Sequence, residues 1–309
     1  TRARRPVRRA LVVGVPVTAA VLTAVVAFNA TAGSNADGRA ALVEAPVVTV
    51  EPASAEPVAA TVRQIAAAAS AGRLPEPGPG QYVYVKSQVS YVVTSHDVDR
   101  NDARTWVQPL HTREVWKSPD GTKGWLDEPG EQPKGGITLD RDHPLSRPRN
   151  GQDVPGRAPD FSYDWLEQQN PDPDALLRSV HAAVGEGPER DQRAFREIGS
   201  ILHEQLVPAP VAAALYQAAA KIPGVVVVPH SQDAAGRDGI ALARLDERHG
   251  DRTEWVFDRS TYAYLGSRGV QVREQDGIKA GTVVERTAVL ERAVVDAQKQ
   301  RPGGAPDAA

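Results

Sequence analysis

The sequence contains neither cysteine nor methionine. The absence of cysteine excludes disulfide bonds, thiol catalysis, cysteine-ligated zinc sites and a lipid-modified N-terminal cysteine. A domain without disulfides depends on its hydrophobic core for stability, and 309 residues are enough to build that core.

Motifs of the common enzyme and metal-binding classes are also missing. His203-Glu204 begins the helix signature of zinc proteases, but Val207 stands where the second histidine is required. Residues 97–108 begin like a calcium-binding loop but lack glycine at the sixth position and glutamate at the twelfth. The sequence has no Gly-x-Ser-x-Gly motif and no phosphate-binding glycine loop after a strand. We therefore predict that the protein is not an enzyme and has no catalytic residues, cofactor or metal ion.

Acidic residues are absent before Asp37, and the N-terminal region combines basic residues with a long apolar run. Five arginines lie within residues 1–9, and the 19 residues of 10–28 carry no charge. A helix of that length is about 28 Å long, close to the thickness of a bilayer hydrocarbon core. Basic residues mark the cytoplasmic end of a membrane helix. The sequence therefore predicts a cytoplasmic flank at 1–9, a transmembrane helix at 10–28 and an extracytoplasmic remainder.

A cleaved signal peptide is the alternative interpretation of this region. Ala30-Thr31-Ala32 has the small-x-small form of a cleavage site, and cleavage near Ala32 would yield a secreted protein. The apolar segment of a signal peptide usually spans about 7 to 15 residues, so the longer run at 10–28 favours an uncleaved anchor. Both interpretations place the main domain outside the cytoplasm, and the anchor makes the membrane a predicted partner.

Beyond the leading arginines the chain is acidic. Residues 10–309 contain 31 basic and 39 acidic residues, which gives a formal charge of −8. Nucleic-acid-binding domains need a basic surface, so we predict no nucleic-acid partner.

Composition divides the extracytoplasmic part into a stalk, a domain and a tail. Residues 29–56 are rich in Ala, Pro, Val, Thr and Ser, which is typical of a disordered stalk. Residues 57–298 contain strand-like, then helical, then strand-like segments, and this order predicts an α+β domain with a mainly antiparallel sheet. Residues 129–160 are dense in Pro, Gly and charge and predict a long loop within it. The tail, 299–309, is predicted to be disordered.

Local patterns place the elements of this domain. Apolar spacing and helix propensity predict helices within 57–70, 170–187, 191–206 and 208–224. β-Branched and aromatic content predicts strands within 81–93, 225–230, 239–245, 252–257, 261–267 and 281–296. Ser118-Pro119-Asp120-Gly121 predicts the turn of a hairpin, and Pro109 in its first arm predicts an edge strand or a bulge.

The segment EWVFDRSTYAYLGSR predicts a hairpin rich in aromatic residues. With a two-residue turn at 259–260, Phe257 would lie opposite Tyr262. Two positions further from the turn, Trp255 would lie opposite Tyr264. Directly paired residues of an antiparallel ladder point to the same side, so all four rings would share one face.

Seven aromatic side chains on the predicted strands are the candidate binding residues: Trp106, Trp116, Trp125, Trp255, Phe257, Tyr262 and Tyr264. Large aromatic side chains commonly fill the core between a sheet and its helices. The same residue types also line apolar ligand grooves, which are rarer than cores. The sequence favours the core and leaves the groove as the alternative.

Several stretches resemble an actinobacterial family of membrane-anchored extracytoplasmic proteins of unknown function. The resemblance covers about residues 57–300 and is carried by PGPGQYVYVKSQ, TREVWKSPDGTKGWL, DPDALL, AALYQAAAKIPGVVVV, DAAGRDGIALAR and EWVFDRSTYAYLGSRGV. The order of hairpin, helices and meander also resembles the lipoprotein-carrier fold of LolA, LppX and RseB. That fold implies a curved antiparallel half-barrel that wraps over helices and shelters an apolar groove. Neither resemblance brings catalytic residues, and likeness of fold does not establish function.

We therefore predict a single-pass membrane protein whose extracytoplasmic domain binds a hydrophobic ligand or a protein partner without catalysis. A lipid or a lipoprotein-like molecule is the expected kind of ligand. One alternative is the sensor domain of an anti-sigma-like transmembrane regulator, whose cytoplasmic segment would precede Arg2. The other alternative is a hydrolase, which would need clustered carboxylates or a Ser-His pair in a cleft.

Overall fold

The computed structural model describes residues 45–55, 57–97, 102–129, 135–141, 161–275 and 278–303. These residues form an α+β fold. Five helices occur in them: α1 (Val58–Ala71), α2 (Tyr163–Glu167), α3 (Pro173–Val184), α4 (Arg190–Glu204) and α5 (Ala209–Ala219). The same residues form ten strands: β1 (Tyr82–Asp97), β2 (Asp102–Val107), β3 (His111–Lys117), β4 (Gly124–Asp127), β5 (Ile137–Thr138), β6 (Val225–Gln232), β7 (Asp238–Leu245), β8 (Asp251–Asp258), β9 (Tyr264–Gln271) and β10 (Val283–Val295).

The predicted N-terminal elements lie outside the described residues. This applies to the basic flank at 1–9, the transmembrane helix at 10–28 and the alternative cleavage site near Ala32. Within the described ranges, no helix is both long enough and apolar enough to cross a membrane. The anchor and the extracytoplasmic location therefore stay predictions.

The strands join one large sheet that is curved and unclosed. Its order is β5-β4-β3-β1-β10-β9-β8-β7-β6, and β2 pairs with the C-terminal end of β1. The last strand, β10, is antiparallel to both β1 and β9 and lies between them. It therefore joins the N-terminal strands to the β6–β9 meander. The predicted α+β class and the mainly antiparallel sheet are confirmed.

Alternating side chains give the sheet two different faces. On the first, which we call the helix face, Val83 of β1 packs with Leu206, which follows α4. On the second, the outer face, the next residue, Tyr84, packs with Trp116 of β3. Successive residues of a strand point to opposite sides, so neighbouring residues of β1 serve two separate clusters.

Helix α4 lies across the helix face of the sheet, α3 and α5 contact it, and α1 packs on α5. Phe195 of α4 stacks on Trp255 of β8, with ring centroids 4.0 Å apart and an interplanar angle of 5°. One turn later, Gly199 permits this approach, because a Cβ at that position would lie 2.5 Å from Trp255 Nε1. At the far end of α4, Glu204 accepts a hydrogen bond from Lys117 of β3 at 2.7 Å. One helix therefore touches strands from both halves of the sheet.

Most elements lie where the sequence patterns predict them. The four predicted helices correspond to α1, α3, α4 and α5, and the strand predicted within 281–296 is β10. Asp172 caps α3 by accepting a hydrogen bond from Ala175 N at 2.7 Å. The hairpin turn at 118–121 is confirmed, and Gly121 there has φ of 69°, a conformation that favours glycine.

The prediction of a bulge at Pro109 is confirmed. Strand β2 ends at Val107 and β3 begins at His111. Gln108 N donates to Tyr91 O and His111 pairs with Val89, so two residues, Pro109 and Leu110, lie opposite Ser90 alone. Both strands pair with the same edge of β1. Because proline has no N–H to donate to a ladder, the chain leaves the sheet at this point and then returns.

The predicted loop at 129–160 is interrupted by a strand. Residues 137 and 138 form β5, which pairs with β4 at the edge of the sheet. Residues 130–134 and 142–160 of that loop lie outside the described part of the chain. A two-residue strand has no periodicity that a sequence pattern could reveal, and the five-residue helix α2 escaped prediction for the same reason.

The prediction of a disordered stalk at 29–56 fails for residues 45–55. Val283 N donates to Pro46 O at 2.8 Å, and Arg252 Nη1 donates to Glu51 O at 2.7 Å. A Pro- and Val-rich composition favours extended backbone, which suits a stalk and a segment bound along a sheet equally well. Composition alone therefore could not show that this segment is bound.

The prediction of a disordered tail at 299–309 also fails for its first residues. Trp116 Nε1 donates to Gln300 O at 2.6 Å, and Arg301 forms an ion pair with Glu114, with Nη2 and Oε2 2.7 Å apart. Residues 304–309 lie outside the described part. The folded domain therefore extends beyond both predicted limits, 57 and 298.

Gly199→Ala tests the packing of α4 on the sheet. Alanine is the better helix former, but its Cβ would overlap the Trp255 indole. We therefore expect the free energy of unfolding to fall by about 1–3 kcal/mol. Urea unfolding of the full chain, followed by tryptophan fluorescence, measures this change.

Gly78→Ala is the matched control, because a Cβ there would meet only Gln81 Oε1 at 3.4 Å. Its stability should change by less than about 0.5 kcal/mol. A Gly199→Ala variant as stable as the wild type would contradict the packing described here.

Candidate functional site

Two of the predicted aromatic residues belong to the core of the helix face. Trp255 is 1% exposed and Phe257 is 0% exposed. Phe195 of α4 stacks on Trp255, and the Tyr216 ring of α5 meets Phe257 edge-to-face with centroids 5.4 Å apart. Neither side chain lines an open groove, because helix residues cover both.

The predicted register of the aromatic hairpin is wrong. Phe257 pairs with Tyr264, not with Tyr262, and Trp255 pairs with Ser267, not with Tyr264. The ladder shifts between positions 256 and 257 because β9 contains one extra residue there. Phe257 and Tyr264 still share the helix face, with ring centroids 5.8 Å apart.

The turn of this hairpin is longer than two residues. Asp258 Oδ1 accepts hydrogen bonds from the backbone N–H groups of Ser260 and Thr261, at 2.9 and 2.8 Å. Tyr262 then adopts φ of 57°, and Asp258 N donates to Ala263 O. This aspartate-capped loop removes Tyr262 from the ladder. Tyr262 and Tyr264 are half-buried and pack at the margin of the helix-face core.

The three N-terminal tryptophans do not join that core. Trp116 and Trp125 pair across β3 and β4 on the outer face, where Trp116 lies 5.2 Å from the Tyr84 ring. Lys299 Nζ lies 3.6 Å from the centre of the Trp125 ring. Trp106 is half-buried on β2, opposite Val93. The structure therefore divides six of the seven candidate aromatics between two faces of the sheet, and Trp106 lies apart from both clusters.

A different group of residues on the helix face has the features of a binding site. We call it the Arg292 site: Arg292 of β10, Tyr264 of β9 and His203 of α4. The Arg292 guanidinium carbon lies 5.9 Å from the centre of the Tyr264 ring. Arg292 Nη2 donates to the backbone oxygens of Leu202 and His203 in the last turn of α4. The side chains of Arg292 and Tyr264 thus lie together, and His203 contacts Arg292 through its backbone oxygen.

Each residue of the Arg292 site has a buried polar atom without a protein partner. Across the described residues, five buried side-chain atoms have no hydrogen-bond partner, and three of them are Tyr264 Oη, His203 Nε2 and Arg292 Nε. Ser267 lies close enough to lower the Tyr264 pKa, but its hydroxyl forms its hydrogen bond with Thr287 Oγ1 at 2.9 Å and none with Tyr264 Oη. A buried polar atom without a partner costs about 1–3 kcal/mol, so these atoms are suited to bind an external molecule.

Burial also determines the charges of the Arg292 site. It raises the pKa of Tyr264 and lowers the pKa of His203 to about 3. Both side chains are therefore uncharged near neutral pH. Burial lowers the pKa of Arg292 as well, but a guanidinium stays protonated in proteins. The site carries one positive charge.

An ion-pair network lies next to this site, at the C-terminal end of α4. Glu204 contacts Arg113 at 3.0 Å and Lys117 at 2.7 Å. Burial opposes the ionisation of Glu204, but these two cations outweigh it and lower the Glu204 pKa to about 2. The network therefore anchors α4 to β3 with satisfied charges.

Two further carboxyl groups have raised pKa values. Burial raises the pKa of Glu197 to about 7, and the negative charge of Glu204 adds to the effect. Burial, with a smaller contribution from Asp251, raises the pKa of Glu285 to about 8. Carboxyl groups with separated pKa values can perform acid–base chemistry, but burial and the ion pairs account for these shifts without a reaction.

One cluster has the geometry of metal ligands. Ligand atoms of Asp246, His249 and Asp251 all lie within 4.8 Å of one another. Arg196 Nη2 lies 2.9 Å from Asp251 Oδ2 and 3.6 Å from Asp246 Oδ2. The guanidinium thus forms ion pairs with both carboxylates, and the cluster joins α4 to the start of β8.

Sequence reasoning found Tyr264 but missed the other members of the Arg292 site. The bulge of β10 between its pairings with Lys86 and Ser87 sets which residues of the strand face the helices, and a bulge of this kind has no sequence signature. The one available signal was an arginine within the apolar run AVLERAVV. An ionisable residue in such a strand indicates either an exposed position or a special partner.

Tyr264→Phe tests whether the hydroxyl of Tyr264 has a partner within the chain. We expect the free energy of unfolding to stay within about 0.5 kcal/mol of the wild type or to rise, because the variant removes a buried group that bonds to nothing. Thermal and urea unfolding of the full chain, freed of co-purifying lipid, give this value.

Tyr84→Phe is the matched control, since Tyr84 Oη donates to Glu114 Oε1 at 2.5 Å. Its loss should cost about 1–3 kcal/mol, the usual range for a hydrogen bond to a charged group. Equal destabilisation by the two substitutions would show that the Tyr264 hydroxyl is already bonded inside the protein.

Comparison of the chain with protein-family models and with curated proteins gives no match. The family and fold resemblances stated from the sequence therefore stay predictions.

Proposed function

We propose that the protein is a membrane-anchored extracytoplasmic binding protein that holds an amphipathic ligand, a lipid or a lipoprotein-like molecule, without catalysis. The observation that carries this proposal is the Arg292 site, where three partnerless polar atoms lie beside aromatic rings. Ligand sites commonly combine an apolar lining with a few polar groups that orient the ligand.

The position of the Arg292 site within the fold supports the proposal. It lies where α4 ends, between the helices and strands β9 and β10 of a curved, unclosed antiparallel sheet. We propose a half-barrel that shelters its ligand between sheet and helices, as the lipoprotein-carrier fold does. The helices on one face of an unclosed sheet fit this arrangement.

The apolar part of the ligand would contact the tyrosines at the margin of the core. Trp255 and Phe257 are covered by helix residues and contribute stability. Tyr262 and Tyr264 are half-buried, so their rings combine apolar area with access from outside. Tyrosine suits such a boundary, because one end of its side chain is apolar and the other is polar.

The test is native mass spectrometry of the full chain, purified in detergent from an actinobacterial host, with extraction of co-purifying lipids. We expect about one amphipathic molecule per chain, which would stabilise the folded state by mass action. Tyr264→Glu, which places a carboxylate beside Arg292, is expected to purify empty.

Tyr82→Glu is the control, because Tyr82 is a partly buried tyrosine of the outer-face cluster. It should retain the ligand. A wild-type chain that is empty under conditions in which it is folded, or equal lipid loss in both variants, would contradict the proposed function.

A further inference from the structure

The charge of Arg292 is not balanced within the described protein. Four other arginines that are buried or half-buried face carboxylates: Arg113 with Glu204, Arg196 with Asp251, and both Arg252 and Arg268 with Glu254. Among the described residues, no Asp or Glu forms an ion pair with Arg292. Its partners are two backbone oxygens and the Tyr264 ring. Arg292 is half-buried with a buried Nε, and a cation withdrawn from water without a counter-ion is costly.

His203 has one ring nitrogen with a hydrogen-bond partner and one without. Its Nδ1 lies 3.4 Å from Thr287 Oγ1, which also bonds to Ser267 N and Ser267 Oγ at 3.0 and 2.9 Å. Its Nε2 has no partner. The neutral imidazole carries one proton, and the tautomer in which Nδ1 accepts from Thr287 places that proton on Nε2 as a free donor.

Two donors adjoin in the Arg292 site, and His203 can add a third. The Arg292 guanidinium lies 5.9 Å from the centre of the Tyr264 ring, its Nε–H is charged, and the Tyr264 hydroxyl can donate. The backbone oxygen of His203 accepts from Arg292, and His203 Nε2 donates in the tautomer that is protonated there. His203 is 7% exposed, so its free N–H is shielded from bulk water. Donors that converge around one positive charge are the usual recognition chemistry for carboxylate and phosphate oxygens.

The carboxyl groups facing the site do not oppose an anion. Glu285 contributes to the raised pKa of Tyr264 and therefore lies near it, but burial keeps Glu285 itself protonated near neutral pH. Glu204, next to His203, is neutralised by Arg113 and Lys117. The remaining local charge is that of Arg292.

We propose that Arg292, Tyr264 and His203 bind the anionic head group, a carboxylate or a phosphate, of the amphipathic ligand. The proposal rests on the proposed function and adds the chemical class of the ligand. The guanidinium supplies the charge, and the tyrosine and histidine supply the neutral donors. An acidic amphiphile is therefore bound in preference to a neutral one of equal chain length.

The test compares three probes with the same chain: tritiated palmitate, hexadecyl phosphate and hexadecanol. Each is bound to the full chain in phosphatidylcholine nanodiscs, with empty nanodiscs subtracted. We expect at least one of the two acidic probes to bind about tenfold or more tightly than hexadecanol, the usual effect of one charge-assisted hydrogen bond. The acid that is preferred distinguishes a carboxylate from a phosphate head group.

Arg292→Gln should abolish this preference and change hexadecanol affinity by less than about twofold, because the apolar contacts remain. Arg286→Gln is the matched control. Arg286 lies on the same strand and also has a partnerless Nε, but it pairs with Arg268 on the outer face. The control should keep the preference for the acidic probe.

Tyr264→Phe provides a second variant if Arg292→Gln fails to fold, and it should weaken binding of the preferred acid by about three- to tenfold. Equal affinity of the wild type for all three probes would overturn the head-group assignment and leave the proposed function standing. A preference that persists in a folded Arg292→Gln variant would also overturn the assignment. If none of the probes binds the wild type, both proposals fail.

Discussion

The contact between helix α4 and the sheet is the interaction on which the rest of the structure depends. Its aromatic part is the stack of Phe195 on Trp255, which Gly199 makes possible. Its polar part is the pair of cations from β3 around Glu204. Because β3 and β8 lie on opposite sides of β10 in the sheet, one helix holds both halves at a fixed distance. The stacked rings bury apolar area but do not fix the helix at one position along the sheet. The ion pairs do so, because they define where the helix ends.

The C-terminal end of α4 determines the position of the Arg292 site. Arg292 of β10 donates to the last carbonyl oxygens of the helix, which lack partners within it and carry the negative end of its dipole. This contact holds the guanidinium at the end of the helix through backbone oxygens, and no carboxylate of the described residues pairs with it. The arrangement keeps the positive charge available to another molecule. The bound segments 45–55 and 299–303 contact other parts of the sheet, at Arg252 and Trp116.

Sequence patterns predicted the elements with strong periodicity or capping. The helices are examples, and Asp172 and Gly121 act as their residue types imply. The prediction of the aromatic hairpin failed because hydrogen bonds to Asp258, and not the alternation of residues, determine the length of its turn. The longer turn is accompanied by a shifted register. Sequence patterns also failed for long-range contacts. Nothing local distinguishes a strand aromatic on the helix face from one on the outer face, because the assignment depends on bulges and on the partners of each strand. Arg292 was missed for this reason.

The central claim is that a molecule from outside the chain satisfies the polar atoms of the Arg292 site. A high-resolution experimental structure of the full chain, purified without added ligand, tests it most directly. The account predicts elongated density that reaches the Tyr262 and Tyr264 rings and ends in an oxygen-bearing group. That group should lie about 3 Å from Arg292 Nε and Tyr264 Oη, the distance of a hydrogen bond. Ordered water alone on these atoms, with the tyrosines packed against protein, would contradict the account.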